Sequence, residues 1–446
     1  MILGPVSYID CLVFLVFLAP QLVIHVGLWT TATWVLQALP FLREENGKRL
    51  HYPVVKLPLQ FLWTRYLTPR SDRPPFVRAS SPFQDVVIRC VRYAFAHMAP
   101  AMGRTFLSAP VALPFLRWRM LRHGYFPPRL PFRTVPRPQL GYSLLHIDSS
   151  WAAGEAGTHD DPAAPDLVVL YAHGGGFSMG SAAFYLEFLL AWQQLLRDSG
   201  AFARPAMLAP DYALAPAAAY PRPVAQTLDA YGCALRLAGG DAARVVVAGD
   251  SAGGTLVLSA LLHRASSAPS SSSSSSSRSS APDDEDEDED NVLAPAPLPR
   301  PALAVLVSPW VSVLSPANAS TPSDYLTARA LRRYGALYLA ASGAAARASP
   351  DARASPGSPR NGAALWRRAA PRRGWVLTAG ADEVLGPEVR RLGRVLDGAG
   401  AGRVELLDGV GVVHAWPVAA VFLGRDEGER LGGLREIVRA MVGRFG

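Results

Sequence analysis

The sequence predicts an α/β fold with a mostly parallel central sheet and helices on both of its faces. Over residues 136–446, short apolar and β-branched segments alternate with stretches of helical periodicity, which is typical of parallel strands joined by crossover helices. Two glycine-rich motifs directly follow two of these apolar segments. The strands are expected at residues 142–147, 167–172, 206–210, 245–249, 302–308, 375–379 and 404–407, and helices at residues 224–237, 388–396 and 428–445.

One motif is Gly-x-Ser-x-Gly at residues 249–253, which follows an apolar run and precedes a helical stretch. In this setting the motif predicts a nucleophile elbow, a sharp strand-to-helix turn that lifts a serine hydroxyl, here that of Ser251, above the sheet. Gly249 and Gly253 flank the serine at positions where a Cβ would crowd the strand or the helix. An isolated motif of this kind also occurs in ordinary loops. The strand before it and the helix after it favour the elbow.

The other motif is His-Gly-Gly-Gly-Phe at residues 173–177, directly after the expected strand at residues 167–172. Consecutive glycines allow the backbone to approach a substrate closely with its amide groups turned inward. Such N–H groups stabilise the negative charge that develops on a carbonyl oxygen during acyl transfer to a serine. A flexible glycine turn is the alternative interpretation. The elbow further along the chain favours an oxyanion loop.

Together these motifs resemble those of the hormone-sensitive-lipase-like group of α/β-hydrolases, which are esterases and lipases of carboxylic esters. The segment Asp-Tyr-Ala-Leu-Ala-Pro at residues 211–216 is similar to a third motif of that group, with Ala213 in place of its usual arginine. The resemblance covers residues 135–446 and implies an α/β-hydrolase fold with a helical cap. It also implies that the oxyanion is received by backbone N–H groups of Gly174, Gly175, Gly176 and Ala252.

The resemblance further implies a catalytic base and acid after the serine in the order Ser, Asp or Glu, His. Only His263 and His414 lie downstream of Ser251. His263 falls in the helix that leaves the elbow, whereas His414 lies in a loop after the late strand-like segment, where the base is expected. Asp250 and Tyr212 are expected to have structural roles.

For the acid, the apolar strand at residues 375–379 is followed by an Asp-Glu pair. Asp382 matches the position of the acid in the family. Its neighbour Glu383 is the alternative, because either carboxylate could orient an imidazole and one residue of loop geometry decides between them. The predicted catalytic triad is therefore Ser251, Asp382 and His414.

Residues 11–42 contain no Asp, Glu, Lys or Arg and are rich in apolar and aromatic side chains. Because about 20 apolar residues cross a bilayer as a helix, this segment predicts a single-pass transmembrane signal-anchor in the endoplasmic reticulum or another endomembrane. A buried helix of a soluble fold is the alternative. A cleavable signal peptide is disfavoured by the length of the segment and by the lack of a basic region before it. The flanking charges leave the orientation open.

Three further regions are expected to have distinct roles. Residues 43–135 are interpreted as a linker, a cap or a membrane-apposed segment, with residues 83–121 as the candidate for the cap or platform. Residues 310–348 show helical spacing and are expected to complete the cap. The serine-rich and acidic stretch at residues 266–291 cannot bury enough apolar surface to offset its ordering entropy, and it is expected to be a disordered insert.

The composition excludes several function classes. The net charge is +8, but only Lys48 and Lys56 are lysines among 44 basic residues, and no helix-turn-helix or zinc spacing accompanies them. Nucleic-acid binding is therefore not expected. Three scattered cysteines predict neither a disulfide framework nor a metal site, and no cofactor is expected.

Two functions remain. One is a membrane-anchored serine carboxylesterase, lipase or deacetylase that acts on apolar small-molecule esters and is brought to its substrate by the anchor. The other is a catalytically inactive hydrolase-fold protein that binds ligands or partners. The complete set of catalytic residues favours the enzyme.

Overall fold

The computed structural model describes residues 1–38, 57–126, 130, 132–148, 164–267, 298–340 and 351–446. The predicted serine-rich and acidic insert at residues 266–291 lies outside the described residues except for its first two. The strands are β1 Arg133–Arg137, β2 Tyr142–Ile147, β3 Leu167–Ala172, β4 Pro205–Asp211, β5 Val245–Asp250, β6 Leu303–Val307, β7 Trp375–Gly380 and β8 Val404–Gly409. The α-helices are α1 Tyr8–Val26, α2 Leu28–Ala38, α3 Leu57–Leu62, α4 Pro75–Ala79, α5 Pro82–His97, α6 Pro100–Phe106, α7 Ala109–Arg122, α8 Leu186–Asp198, α9 Arg222–Leu237, α10 Ser251–Ser266, α11 Ala328–Leu339, α12 Ala363–Ala369, α13 Gly386–Gly398, α14 Trp416–Leu423 and α15 Glu427–Phe445.

In the described part of the chain these strands form one eight-stranded sheet in the order β1-β2-β4-β3-β5-β6-β7-β8. From β4 to β8 every neighbouring pair is parallel, and β2 is antiparallel to both β1 and β4. The predicted mostly parallel sheet is confirmed. The edge strand β1 was not predicted, because its sequence Arg-Thr-Val-Pro-Arg is polar and largely exposed and carries no apolar run.

Helices cover both faces of the sheet. Alternate residues of β3 point to opposite sides, so that Val168 and Leu170 pack in one apolar core and Val169 and Tyr171 in the other. The first core is covered by α9, α10, α12 and α13, and the second by α8, α14 and α15. The carboxyl ends of the parallel strands meet at one edge, and in such sheets this edge is where ligands bind.

The N-terminal helix α1 packs on the hydrolase fold. It is long and apolar enough to cross a membrane, and most of its surface is not buried, which fits the predicted membrane helix. Its Leu18 and Leu22 pack with Met98 and Met102 beside α6 and α7. In its first turn the buried carboxylate of Asp10 forms ion pairs with Arg119 and Arg122 of α7. One side of α1 is therefore attached to the rest of the protein along the helix.

Candidate active site

Ser251 lies at the sharp turn between β5 and α10. Its backbone has a φ of +50°, a left-handed conformation that is strained for a residue with a side chain. A Cβ at Gly253 would overlap the carbonyl oxygen of Ala172 in β3, and one at Gly249 would lie 2.7 Å from the same oxygen. Glycine is therefore required on both sides of the serine, which lets the turn sit tightly against β3.

The glycine loop after β3 also depends on backbone conformation. Gly175 and Gly176 have φ values of +113° and +60°, and a Cβ at Gly175 would overlap the carbonyl oxygen of Met179. Both glycines line the same cavity as Ser251. Within the described residues no hydrogen-bond acceptor faces the N–H group of either glycine. These two amides are therefore free to receive a negatively charged oxygen.

Gly174 differs from its two neighbours. Its N–H group donates a hydrogen bond of 2.7 Å to Oδ1 of Asp250, so this amide does not face the cavity as the sequence had led us to expect. A Cβ at Gly174 would overlap the Asp250 carboxylate. Glycine is thus required at position 174 because a side chain would not fit there. Its N–H group connects the glycine loop to Asp250, the residue before the serine.

The Asp250 carboxylate that accepts this hydrogen bond is buried. It also accepts hydrogen bonds from the hydroxyl groups of Tyr171, at 2.7 Å, and Tyr185, at 3.0 Å. Burial raises the pKa of Asp250, whereas the two tyrosine hydrogen bonds and the nearby His173 and His414 lower it. The structural role expected for Asp250 has a specific form here: one carboxylate connects β3, α8 and the glycine loop. Nothing in the sequence pattern pointed to the two tyrosines.

Tyr212 supports the same loop from the other side. Its ring stacks on the imidazole of His173, with ring centroids 4.3 Å apart, and its hydroxyl donates to the His173 carbonyl oxygen at 2.7 Å. The structural role expected for Tyr212 is therefore support of the histidine that opens the glycine loop.

His414 lies in the loop between β8 and α14. Its Nδ1 is 3.5 Å from Oε2 of Glu383, and both side chains are buried. Among the described residues neither ring nitrogen has a hydrogen-bond partner within ordinary geometry, and His414 and Ser251 line one cavity. Burial by itself would lower the pKa of His414. The adjacent Glu383 carboxylate, with the charges of Asp324 and Asp250, outweighs it and raises this pKa above its usual value.

The carboxylate beside His414 is thus Glu383, the alternative left open by the sequence, and not Asp382. Oε2 of Glu383 also accepts a hydrogen bond of 2.8 Å from Oγ of Ser308, which in turn accepts one from the N–H group of Ala415. Asp382 is half-buried and contacts another segment, its carbonyl oxygen accepting a hydrogen bond from Oγ1 of Thr321. Successive side chains leave the turn after β7 in different directions, which the sequence pattern does not specify.

A cavity of about 290 Å³ is lined by residues that include Asp250, Ser251 and His414. The rest of the wall is apolar and comes mainly from α5, α6, α11 and α14. The segment expected as a cap or platform therefore contributes α5 and α6 to the wall, and the second expected cap region contributes α11. The apolar lining residues include Val87, Val91, Phe95, Phe106, Leu326, Leu331, Tyr334, Val418 and Phe422.

A larger cavity of about 1060 Å³ lies on the other side of α5. Neither Ser251 nor His414 lines it. Of its charged lining residues, Arg89 pairs with Asp85, and Arg92 donates to backbone carbonyl groups. Among the described residues no group of three His, Cys, Asp or Glu side chains is placed to hold a metal ion. The predicted residues Ser251 and His414 therefore lie at the smaller cavity.

The family model of the α/β hydrolase fold matches residues 169–418, more than half of the chain. The protein therefore belongs to the α/β hydrolase fold family, and the predicted relation to its hormone-sensitive-lipase-like group is confirmed. The hormone-sensitive lipase of Bos taurus is 36% identical over 102 residues, which cover 22% of this chain and 13% of that protein. Esterase LipI of Mycobacterium tuberculosis is 34% identical over 170 residues, 35% of this chain and 50% of that esterase.

The chain thus aligns with half or less of the length of these curated relatives. Two solved structures share the fold. An esterase of the bacterial hormone-sensitive lipase family superposes with a TM-score of 0.53 at 22% identity, over 82% of this chain and 99% of its own. The hormone-sensitive lipase homologue EstE7, from a metagenome library, gives 0.54 at 20% identity, over 81% and 99%.

Proposed function

We propose that the protein is a serine hydrolase of apolar carboxylic esters that uses Ser251 as nucleophile, His414 as base and Glu383 as the acid that orients the base. The observation that carries this proposal is the meeting of three features at one cavity: a serine held at a φ of +50°, a histidine paired with a buried carboxylate, and two unengaged backbone amides.

The first half of the reaction forms an acyl-enzyme. Nε2 of His414 takes the proton of the Ser251 hydroxyl as its Oγ attacks the ester carbonyl carbon. Glu383 accepts a hydrogen bond from the Nδ1–H group of the imidazole, which fixes the tautomer and offsets the positive charge that forms on the ring. The carbonyl oxygen becomes negative and is received by the N–H groups of Gly175 and Gly176, together with that of Ala252 at the start of α10.

The acyl-enzyme is completed when this tetrahedral intermediate collapses: the bond to the alcohol oxygen breaks, and the alcohol leaves with the proton that His414 carries. In the second half, water attacks the acyl carbon while His414 takes its proton. The second tetrahedral intermediate then collapses, the bond between the carbonyl carbon and Oγ of Ser251 breaks, and His414 returns the proton to that oxygen as the carboxylic acid leaves. Asp250 keeps the glycine loop in place throughout and so prepares the oxyanion site before the substrate arrives.

The cavity favours esters with apolar groups on either side of the carbonyl. Apart from Asp250, Ser251 and His414, its wall offers aromatic and aliphatic side chains and no charged partner for a polar substrate. One related protein is named as a hydrolase of an ester, the ethyl acetate hydrolase of Pseudomonas putida. It is 38% identical over 100 residues, 22% of this chain and 29% of that protein.

We further propose that α1 holds the enzyme at a membrane. Its outward side exposes apolar residues such as Leu12, Val16 and Ile24. On its inward side Phe14 packs on Phe106, which lines the cavity, with ring centroids 4.9 Å apart. A bilayer around α1 would therefore lie close to the substrate cavity. Flotation of the full chain with phosphatidylcholine vesicles, which a chain lacking α1 should not show, checks this placement.

The catalytic proposal is tested with a p-nitrophenyl ester and a fluorophosphonate probe. The unaltered protein should hydrolyse the ester and be labelled on Ser251. The variant Ser251→Ala should lose both reactions, with kcat down by about 10⁴-fold or more, while its thermal unfolding stays unchanged. Absence of both turnover and labelling in the folded unaltered protein would contradict the proposal and favour a hydrolase-fold protein that only binds ligands.

A further inference from the structure

The segment at residues 321–326, between β6 and α11, contacts both loops that carry the base and the acid. Its centre is Asp324, whose carboxylate is buried. Oδ2 of Asp324 accepts a hydrogen bond of 2.8 Å from the N–H group of Val384, the residue after Glu383. Oδ1 accepts one of 3.3 Å from the N–H group of His414 itself and one of 3.3 Å from that of Leu326. One side chain thus connects the acid loop, the base loop and its own segment.

From this we infer that Asp324 is a positioning residue, which sets the spacing between Glu383 and His414 by binding the backbone of both loops. The inference rests on the proposed function. Loops are more mobile than the strands they connect, and hydrogen bonds to a charged carboxylate are stronger than those between neutral groups. The Nδ1 to Oε2 distance of 3.5 Å is already longer than an ordinary hydrogen bond. A small change in loop spacing would therefore break the contact between acid and base.

Two neighbours extend the role of this segment. Oγ1 of Thr321 donates to the carbonyl oxygen of Asp382 at 2.6 Å and accepts the N–H group of Asp324 at 3.2 Å. From α5, Nη1 of Arg92 donates to the carbonyl oxygens of Thr321, at 2.6 Å, and Asp324, at 2.7 Å. Because α5 forms a wall of the substrate cavity, the same segment supports both the cavity and the acid–base pair.

The charges around His414 provide a specific readout. The ionisable groups that act on its imidazole are Glu383, Asp324 and Asp250, and each raises the pKa of His414 against the lowering effect of burial. The aromatic ring of Tyr325 packs edge-on against His414 and adds no charge. Replacing Asp324 by a neutral residue therefore lowers the pKa of His414. A residue that only stabilised the fold would not move it.

The test is the variant Asp324→Asn, which keeps the size of the side chain but removes its charge and one acceptor. We expect kcat to fall by about 10- to 100-fold with a smaller change in KM. The acid limb of the pH profile of kcat/KM should move to lower pH, because His414 must be neutral to accept a proton. Hydrogen exchange should rise together at the amides of Val384 and His414.

The matched control is Asp229→Asn. Asp229 is also a partly buried carboxylate, bound by Arg137 and by the hydroxyl of Tyr142 at the β1–β2 side of the sheet. This variant should leave kcat, the pH profile and exchange in both loops unchanged, even if it lowers the melting temperature.

A second variant, Thr321→Val, keeps the volume but removes the hydrogen bonds of Oγ1 with Asp382 and Asp324. It should lower kcat and raise exchange at the amides of Val384 and His414 to a smaller extent, and it should leave the acid limb in place because no charge is lost. If Asp324→Asn does not fold, Thr321→Val still decides the question. A folded Asp324→Asn protein with normal kcat, pH profile and loop exchange would overturn the inference. If instead the unaltered protein hydrolyses no ester, the proposed function fails, and exchange at Val384 and His414 still tests Asp324 separately.

Discussion

The proposed site has two halves that are built differently. The nucleophile half, formed by the elbow at Ser251 and the glycine loop, is shaped by the backbone, whereas the base–acid half is shaped by side chains. In the nucleophile half, Gly175 and Gly253 are places where a Cβ would overlap a carbonyl oxygen. In the base–acid half, His414, Glu383 and Asp324 meet from three separate loops through ion pairs and hydrogen bonds. The nucleophile half depends on glycine at fixed positions. The base–acid half depends on which side chains of the three loops point toward one another.

The largest expected effect tests the backbone-shaped half. In Gly253→Ala the new Cβ would overlap the carbonyl oxygen of Ala172, so β5, the elbow and β3 must move apart. We expect activity on a p-nitrophenyl ester to fall more than about 100-fold and the free energy of unfolding to fall by about 1–3 kcal/mol. Steady-state kinetics and urea unfolding measure the two changes.

The control for this variant is Gly232→Ala in α9. There a Cβ would meet only Nη1 of Arg236, at an ordinary contact distance of 3.6 Å. Alanine favours a helix over glycine by about 1 kcal/mol, so stability should rise slightly and activity stay unchanged. Equal, small effects of both substitutions would mean that the elbow is not constrained by backbone packing.

The next effect tests which carboxylate serves the base. Glu383→Gln should lower kcat by about 10³- to 10⁴-fold, because the amide no longer offsets the charge on the imidazole and no longer fixes its tautomer. It should also move the acid limb of the kcat/KM profile to lower pH, since the charge of Glu383 raises the pKa of His414. Asp382→Asn is the matched comparison and should change kcat by less than about threefold.

The reverse result, with Asp382→Asn inactive and Glu383→Gln active, would restore the assignment that the family resemblance suggested. It would then show that the turn after β7 presents its other carboxylate to His414 during the reaction. The pH profiles of both variants distinguish a change at the base from a loss of folded protein.

The difference between the backbone-shaped half and the half shaped by side chains explains which features could be predicted from the sequence. The strands β2 to β8, the elbow and the glycine loop carry apolar runs and glycine motifs, and all were predicted close to their observed positions. The sequence left Glu383 only as the alternative to Asp382 and did not point to Asp324, because neighbouring carboxylates look alike in a sequence and the three loops meet only in space. Gly174 shows a limit of the motif itself. The motif predicts that the Gly174 amide receives the oxyanion, but this N–H group donates a hydrogen bond to Asp250 instead of facing the cavity.

The smallest expected effect asks whether side chains also matter in the backbone-shaped half. Tyr185→Phe removes one of the three donors to Asp250 but leaves Tyr171 and the Gly174 amide in place. Because a single hydrogen bond contributes about 1 kcal/mol, we expect kcat to fall by no more than about fivefold, with KM unchanged, in assays on a p-nitrophenyl ester. The control is Tyr231→Phe, which removes a hydroxyl bonded to the Pro299 carbonyl oxygen away from the cavity and should not change kcat. A loss of 100-fold or more in Tyr185→Phe alone would show that the hydrogen bonds to Asp250, and not the glycine conformations, mainly hold the glycine loop. Side chains would then shape both halves of the proposed site.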